Sequence, residues 1–249
     1  MSDLTIIIPT FHSKKLTDIC IRSFVKFCPP DINLFFIVIE NSSDISYKTH
    51  IESLADNIQW INNNRKVIGS EANASALEIG IQQTKTDLVF TAHCDTCVTS
   101  EEFYKSILSK YNKGNKAVGM LHDKHPQRIK ALHILGLLTE KRIIQKVDLY
   151  PKYIDKIQVM DVGDSITEYC RSNNIPYYNF DNTYNTPSLI KAIEPKYGRL
   201  NDVARCISEK GNVIYMHLAR GILKTQKIYV KKNRINLEEW IKFCNNILE

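Results

Sequence analysis

The chain has no apolar run approaching the ~20 residues that cross a bilayer. No basic leader or small-residue cleavage site precedes "LTIIIPT" near its start. The expectation is a soluble cytoplasmic protein, with peripheral contact at the inner face of a membrane left open. Charge of one sign is also in short supply: 33 basic against 27 acidic side chains leave +6 over 249 residues. Without a basic stripe interleaved with aromatics, nucleic acid is not an expected partner. A mild positive balance does suit an anionic substrate or surface. Seven cysteines, an odd number scattered from Cys20 to Cys244, make no disulfide framework and fit a reducing compartment. Neither an internal repeat nor a low-complexity linker interrupts the chain, whose length suits one large α/β domain or two small ones.

What is present is alternation. "LTIII" (4–8), "NLFFIVIE" (33–40), "IQWIN" (58–62) and "DLVFTA" (87–92) read as buried strands. Between them, Leu16, Ile19, Cys20 and Phe24 recur at helical spacing up to "CPP" at 28–30. "ISYKTHIESLA" and the stretch Ala72 to Gln83 read as two further helices. Strands and helices alternating at this pitch predict a mostly parallel sheet with helices on both faces. Ligands in such sheets bind beyond the carboxyl ends of the strands, and three of those ends are polar: Pro9-Thr10, Glu40-Asn41 and His93-Cys94-Asp95.

Beyond residue 100 the pattern decays. A helix near 101–112, a strand "AVGML" (117–121), a polar loop "HDKHPQR" (122–128) and a helix "DSITEYCRSNN" (164–174) are expected. A strand "IPYYNF", a strand "NVIYMHL" (212–218) and a terminal helix "NLEEWIKFCNNIL" (236–248) follow. Residues 219–235 are basic and aperiodic and read as a mobile segment.

The stretch "FTAHCDTCV" (90–98) poses the chemical question, because His93, Cys94, Asp95 and Cys97 crowd the end of an apolar strand. Cys94-x-x-Cys97 has zinc or dithiol spacing. A structural zinc needs a second ligand pair, which the sequence does not offer. A zinc deaminase would want His-x-Glu ahead of the cysteines, and that is missing too. Cys94 and Cys97 therefore read as small packing residues, leaving Asp95 as the strand-end carboxylate.

In this order, "LTIIIPTFHSKKLTDICIRSF", "FFIVIENSSD" and "IGSEANASALEIGIQQTKTDLVFTAHCDTCV" resemble the family 2 glycosyltransferases of the GT-A fold over residues 4–100. Weaker echoes lie in "MDVGDSITEYCRSNNIPYY" and "IYMHLARG". The resemblance implies an α/β, Rossmann-like GT-A domain over 1–218. Its nucleotide-binding half would be 1–100 and its acceptor half 101–218, with 219–249 a basic segment and a helix packed on the same domain. It implies an inverting transferase that takes a UDP- or GDP-sugar donor and a glycan or lipid-linked acceptor, with Mn²⁺ or Mg²⁺ as cofactor. Pro9, Thr10, Glu40, Asn41, Gly69, Asn73, Cys94 and Arg220 would then face the donor. Asp95, His217 and His93 would face the metal. Asp161 would be the catalytic base, with Asp164 the alternative, itself also well placed as a helix N-cap. In the family's metal motif both ends are acidic; His93 stands at the first end here. That substitution keeps a second reading in play, a catalytically silent GT-A module that binds nucleotide, sugar or a protein partner.

Overall fold

The computed structural model describes residues 2–65, 67–121, 129–190, 203–227 and 235–249. The expected polar loop 122–128, and 228–234 of the basic run, lie outside them. Strands and helices alternate through β1 (Ser2–Thr10), α1 (Lys14–Lys26), β2 (Ile32–Glu40), α2 (Lys48–Glu52), β3 (Ile58–Asn62), α3 (Gly69–Gln83) and β4 (Leu88–Ala92). The middle of the chain holds β5 (Thr96–Val98), α4 (Glu102–Asn112), β6 (Ala117–Gly119), β7 (Gly136–Glu140) and α5 (Lys141–Ile144). It continues through β8 (Lys152–Ile154), β9 (Ile157–Met160), α6 (Asp164–Ser172), β10 (Tyr177–Asn179) and β11 (Asp181–Asn182). Last come β12 (Ala204–Ile207), β13 (Val213–His217), α7 (Gly221–Thr225) and α8 (Leu237–Leu248).

The main sheet has the order β10-β6-β7-β4-β1-β2-β3. Its described strands are parallel except β7, which runs antiparallel to both β4 and β6. Successive residues of a strand face opposite sides, so Ile6 and Ile8 join Phe24, Phe36 and Phe90 in one core. Ile7 joins Ile37, Leu77 and Val89 in the other. Both faces are covered, which is why these strands read as unbroken apolar runs. Helix α3 lies close on the sheet because Gly80 lets it: a Cβ there would sit 2.5 Å from Ile7 Cγ2. Fully buried Trp240 and Cys244 pin α8 into the first core, and an Asn236–Glu239 capping box starts that helix.

Several expectations change in ways that matter for the site. Strand β1 runs on past "LTIII" through Pro9 and Thr10, which pair with Ile39 and Glu40 of β2. Its ladder to β4 ends at Ile7, so Pro9 sits where the strand is paired on one side, a place that tolerates a missing N–H. "NVIYMHL" does not join the main sheet. It becomes β13 in a second, antiparallel sheet of order β11-β12-β13-β5. Part of the aperiodic stretch 219–235 is ordered as well: Gly221–Thr225 forms α7, too short to show a period in sequence.

Candidate functional site

A cavity of about 660 Å³ opens at the carboxyl ends of the parallel strands. One wall is the strand-end residues Pro9, Thr10 and Phe11 with Asn41; another is the start of α3, including Gly69 and Asn73. His93, Cys94 and Asp95 line it from the β4–β5 turn, and His217, Arg220 and Gly221 from the end of β13 and the start of α7. Hydrogen bonds tie the strand ends together. Asn41 N–H donates to Thr10 O (2.9 Å), and Asn63 Nδ2 donates to Asn41 Oδ1 (2.7 Å). Thr10 Oγ1 lies 2.8 Å from Thr17 Oγ1 on α1, so its hydroxyl is already engaged.

Strand pairing brings the metal candidates together from distant parts of the sequence. Strand β5 begins one residue after Asp95 and pairs antiparallel with β13, setting His217 opposite Thr96. Leu218 N–H donates to Asp95 O (2.9 Å), closing the corner. His217 Nε2 then stands 3.2 Å from Asp95 Oδ1, and His93 Nδ1 4.0 Å from the same oxygen. Donor atoms of all three residues lie within 4.8 Å of one another, so side-chain shifts of under an ångström would let them share one ion at about 2.1 Å each. Two imidazoles and a carboxylate form a set that divalent transition ions accept.

The second oxygen of Asp95 is held by α7: Gly221 N–H donates to Oδ2 at 2.9 Å. Ala219 and Arg220, in succession at φ 59° and 58°, turn the chain sharply to deliver that N–H. Gly221 itself admits no side chain, since a Cβ would lie 2.4 Å from Asp95 Cβ. Burial alone would raise the Asp95 carboxyl, but the charge and hydrogen bond of His217, then His93 and the Gly221 N–H, bring it below the usual carboxylate range. Burial also pulls His93 down to about 3, outweighing the opposite pull of Asp95. Its ring, 28% exposed and facing the cavity, is thus a neutral imidazole near pH 7.

Asp161 lines the cavity beside Val162. Its Oδ1 accepts from Val162 N–H (2.8 Å) and Gln158 Nε2 (3.0 Å), which fixes the carboxylate at the start of α6. Asp164 does not line the cavity. It is also not the N-cap: Gly163, at φ +79°, takes that place because a left-handed residue is needed to enter the helix. Asp164 is the first helical residue, 1% exposed, and its Oδ2 accepts Asp161 N–H at 2.7 Å. Glu40 is likewise absent from the lining. Fully buried, it accepts from Ser42 N–H (2.7 Å), His12 N–H (3.3 Å) and the Ser42 and Tyr47 hydroxyls. Here a strand-end acid braces the following turn from inside, and the next residue, Asn41, lines the cavity instead.

Pro9, Thr10, Asn41, Gly69, Asn73, His93, Cys94, Asp95, Asp161, His217 and Arg220 therefore meet at one cavity, whereas Glu40 and Asp164 stand behind it. Sequence reasoning missed His133, whose ring centroid is 6.0 Å from that of His93, and Gly221. For His133 no local pattern signals a site. The glycine in "ARG" was visible, though its contact with Asp95 was not.

Residues 5–160 match the Glycosyl transferase family 2 profile, so this chain belongs to that family. Among solved structures it is similar to a mannosyltransferase from Pyrobaculum calidifontis in complex with GDP-Man and Mn²⁺, at TM-score 0.52 and 11% identity. The match covers 71% of this chain and 54% of the mannosyltransferase, so the chain spans about half of that protein's length. It is also similar to glucosyl-3-phosphoglycerate synthase from Mycobacterium tuberculosis, in complex with Mn²⁺, UDP and glucosyl-3-phosphoglycerate. There the TM-score is 0.50 and the identity 12%, with 72% of this chain and 70% of that one covered. At such identities the likeness establishes the fold, a GT-A sheet with helices around it. No protein of curated function matches the sequence. No helix among the described residues is long and apolar enough to cross a membrane.

Proposed function

We propose that the chain is a metal-assisted glycosyltransferase that moves a sugar, with inversion, from a UDP- or GDP-sugar to a hydroxyl of a glycan or lipid-linked acceptor. One observation carries the reading: His93, Asp95 and His217 converge on a cavity of about 660 Å³ whose lining also holds Asp161. Membership in the glycosyltransferase family supports it, as do the nucleotides bound by the two similar structures. His93, Asp95 and His217 would hold a divalent cation, which as a Lewis acid offsets the charge that builds on a departing diphosphate. Phe11, Asn41 and the start of α3 give the nucleotide an apolar and amide-lined wall. Arg220, on the same lining, adds a cation beside the diphosphate position. Asp161, held by Val162 N–H and Gln158, takes the proton of the acceptor hydroxyl as the new bond forms.

The test is a donor screen by thermal shift in the presence of Mn²⁺, followed by product analysis. A donor at ~100 times its dissociation constant adds about 2.7 kcal/mol of stability. The shift should vanish with EDTA and in Asp95→Asn. NMR of the product from an α-linked donor should show a β-linkage. If no nucleotide-sugar raises the melting temperature, or if the shift is indifferent to EDTA and to Asp95→Asn, the reading fails.

A further inference from the structure

Strands β8 and β9 form a two-stranded ribbon that belongs to neither larger sheet. Asp155 and Lys156, at φ 49° and 66°, make the two-residue turn between them, the backbone sense that suits a twisted hairpin. Near this turn the ribbon offers apolar side chains to solvent: Tyr153 is 55% exposed, Ile154 63% and Ile157 47%. Ile154 stands opposite Ile157, and Tyr153 opposite Gln158. Alternation therefore puts the two isoleucines on one face of the ribbon and the tyrosine on the other. The root is tied to the rim of the cavity. Gly163 N–H donates to Leu149 O (3.1 Å) at the start of α6. Arg65 Nη1 donates to the Tyr150 hydroxyl oxygen (3.3 Å), from the loop whose Val67 and Ile68 line the cavity. Strand β9 ends at Met160, next to Asp161 on that lining. At ~3.3 Å per residue, the turn stands no more than about 17 Å from Asp161.

We infer that this ribbon is a membrane-docking element whose tip enters the interfacial layer of an anionic bilayer. A folded protein partner packs against one face of a ribbon. Apolar groups on both faces of one tip call for a medium that surrounds it, and lipid does. Tyrosine suits the boundary between headgroups and acyl chains, and lysine stems lie along apolar groups while their charge stays with the headgroups. Lys152 and Lys156, both exposed, bracket Tyr153 and Ile154 against one acid, Asp155, and the chain carries +6 overall. That balance complements anionic headgroups. Exposed apolar groups also gather around the site. Of eight large ones among the described residues, three are on the ribbon and two more, Ile68 and Leu223, line the cavity. Such gatherings mark interaction surfaces. Docking by the ribbon brings the cavity close to the headgroup layer, where a lipid-linked acceptor stands. That choice of acceptor rests on the proposed function; the docking itself does not.

The test is co-sedimentation of the full chain with vesicles of phosphatidylcholine alone, and of phosphatidylcholine mixed with phosphatidylglycerol. The chain should bind the mixed vesicles at least ~10-fold more tightly than the neutral ones. Lys152→Gln together with Lys156→Gln should weaken binding to the mixed vesicles about 25-fold, at about 5-fold per lysine. Ile154→Ser together with Ile157→Ser should weaken it at least ~10-fold. All four positions are exposed, so Tm should not move. Val25→Ser, at an exposed apolar position on α1, should bind like the natural chain. Tyr153→Trp reads depth: vesicles with brominated acyl chains should quench its fluorescence, over the constant background of buried Trp60 and Trp240. Equal affinity for the two kinds of vesicle overturns the inference. So does unchanged affinity in the folded isoleucine double variant, or an unquenched Tyr153→Trp chain. A dimer in sedimentation velocity that Ile154→Ser abolishes also overturns it, because the tip then meets a second copy. Should the double variant fail to fold, the Tyr153→Trp measurement decides. Vesicle binding without sugar transfer overturns the proposed function alone; sugar transfer by a chain that ignores vesicles overturns the docking alone.

Discussion

Replacing Gly221 by alanine isolates the contact between α7 and the candidate metal site. The added methyl would stand 2.4 Å from Asp95 Cβ, 2.7 Å from Oδ2 and 2.9 Å from Cγ. Gly221 has no positive φ, so the penalty is contact and not backbone strain. Asp95 is buried and cornered by Leu218 N–H and His217, leaving α7 as the part that must move. Overpacking of this kind costs about 1–3 kcal/mol. The same movement stretches the Gly221–Asp95 hydrogen bond, of a class worth about 1.5–3 kcal/mol. Because one displacement relieves the clash and weakens the bond, the two figures do not add, and a net loss of about 2 kcal/mol is expected. For a chain of this size that corresponds to a fall of about 4–8 °C in Tm. Gly211→Ala is the control: it sits at φ +81° with nothing within 4 Å of a Cβ, so it carries backbone strain alone. Calorimetry should show both variants destabilised, by about 1–2 kcal/mol in the control. Only Gly221→Ala should also lower Mn²⁺ affinity, by the ~10–100-fold typical of a lost partner behind a ligand. A Gly221→Ala chain with unchanged Tm and unchanged Mn²⁺ binding would refute the reasoning.

Asp161→Asn should lower turnover by ~10²–10⁴ with little change in donor affinity; Asp164→Asn should keep most activity and lose about 1 kcal/mol from a weaker charge at the start of α6, so steady-state kinetics and urea unfolding separate them. Glu40→Gln should cost about 1–3 kcal/mol in urea unfolding, because an amide N–H would confront the hydroxyl of Ser42 or Tyr47 inside a buried cluster; nucleotide affinity falling far more than stability would show that Glu40 reaches the ligand after all. Trp240→Ala should remove about 3–5 kcal/mol, since that side chain is fully buried where α8 meets the core; an unchanged Tm would mean that α8 docks elsewhere in solution.

The parts of this molecule that could be read from sequence are those in which each element is long enough to declare a period. Strands β1 to β4 and the helices between them are such units, and their carboxyl ends had to gather at one crevice. That reasoning placed Pro9, Asn41 and Asp95 at the cavity. Glu40 lies behind the cavity and not on its lining: an acid at a strand end can face the crevice or turn inward, and the choice depends on donors that the next turn supplies. Ser42 and Tyr47 supply them here. After residue 95 the controlling elements shrink. Strands β5 and β6 have three residues each, and α7 has five. No window on the sequence reveals a period in so few residues, so the second sheet and the start of α7 went unseen. The pairing of β5 with β13 is what converts His217 from one histidine among seven into a partner of Asp95. Asp161 was expected at the site from the resemblance, with Asp164 the alternative, and of the two it is Asp161 that lines the cavity. The "DVGD" turn needs a glycine at a left-handed position, and Gly163 at φ +79° meets that need directly. A turn of this kind can be anticipated because its own backbone dictates where the glycine must stand. The resemblance already grouped Asp95, His217 and His93, but what brings their donor atoms together is the pairing of β5 with β13, a register set by partners more than a hundred residues apart.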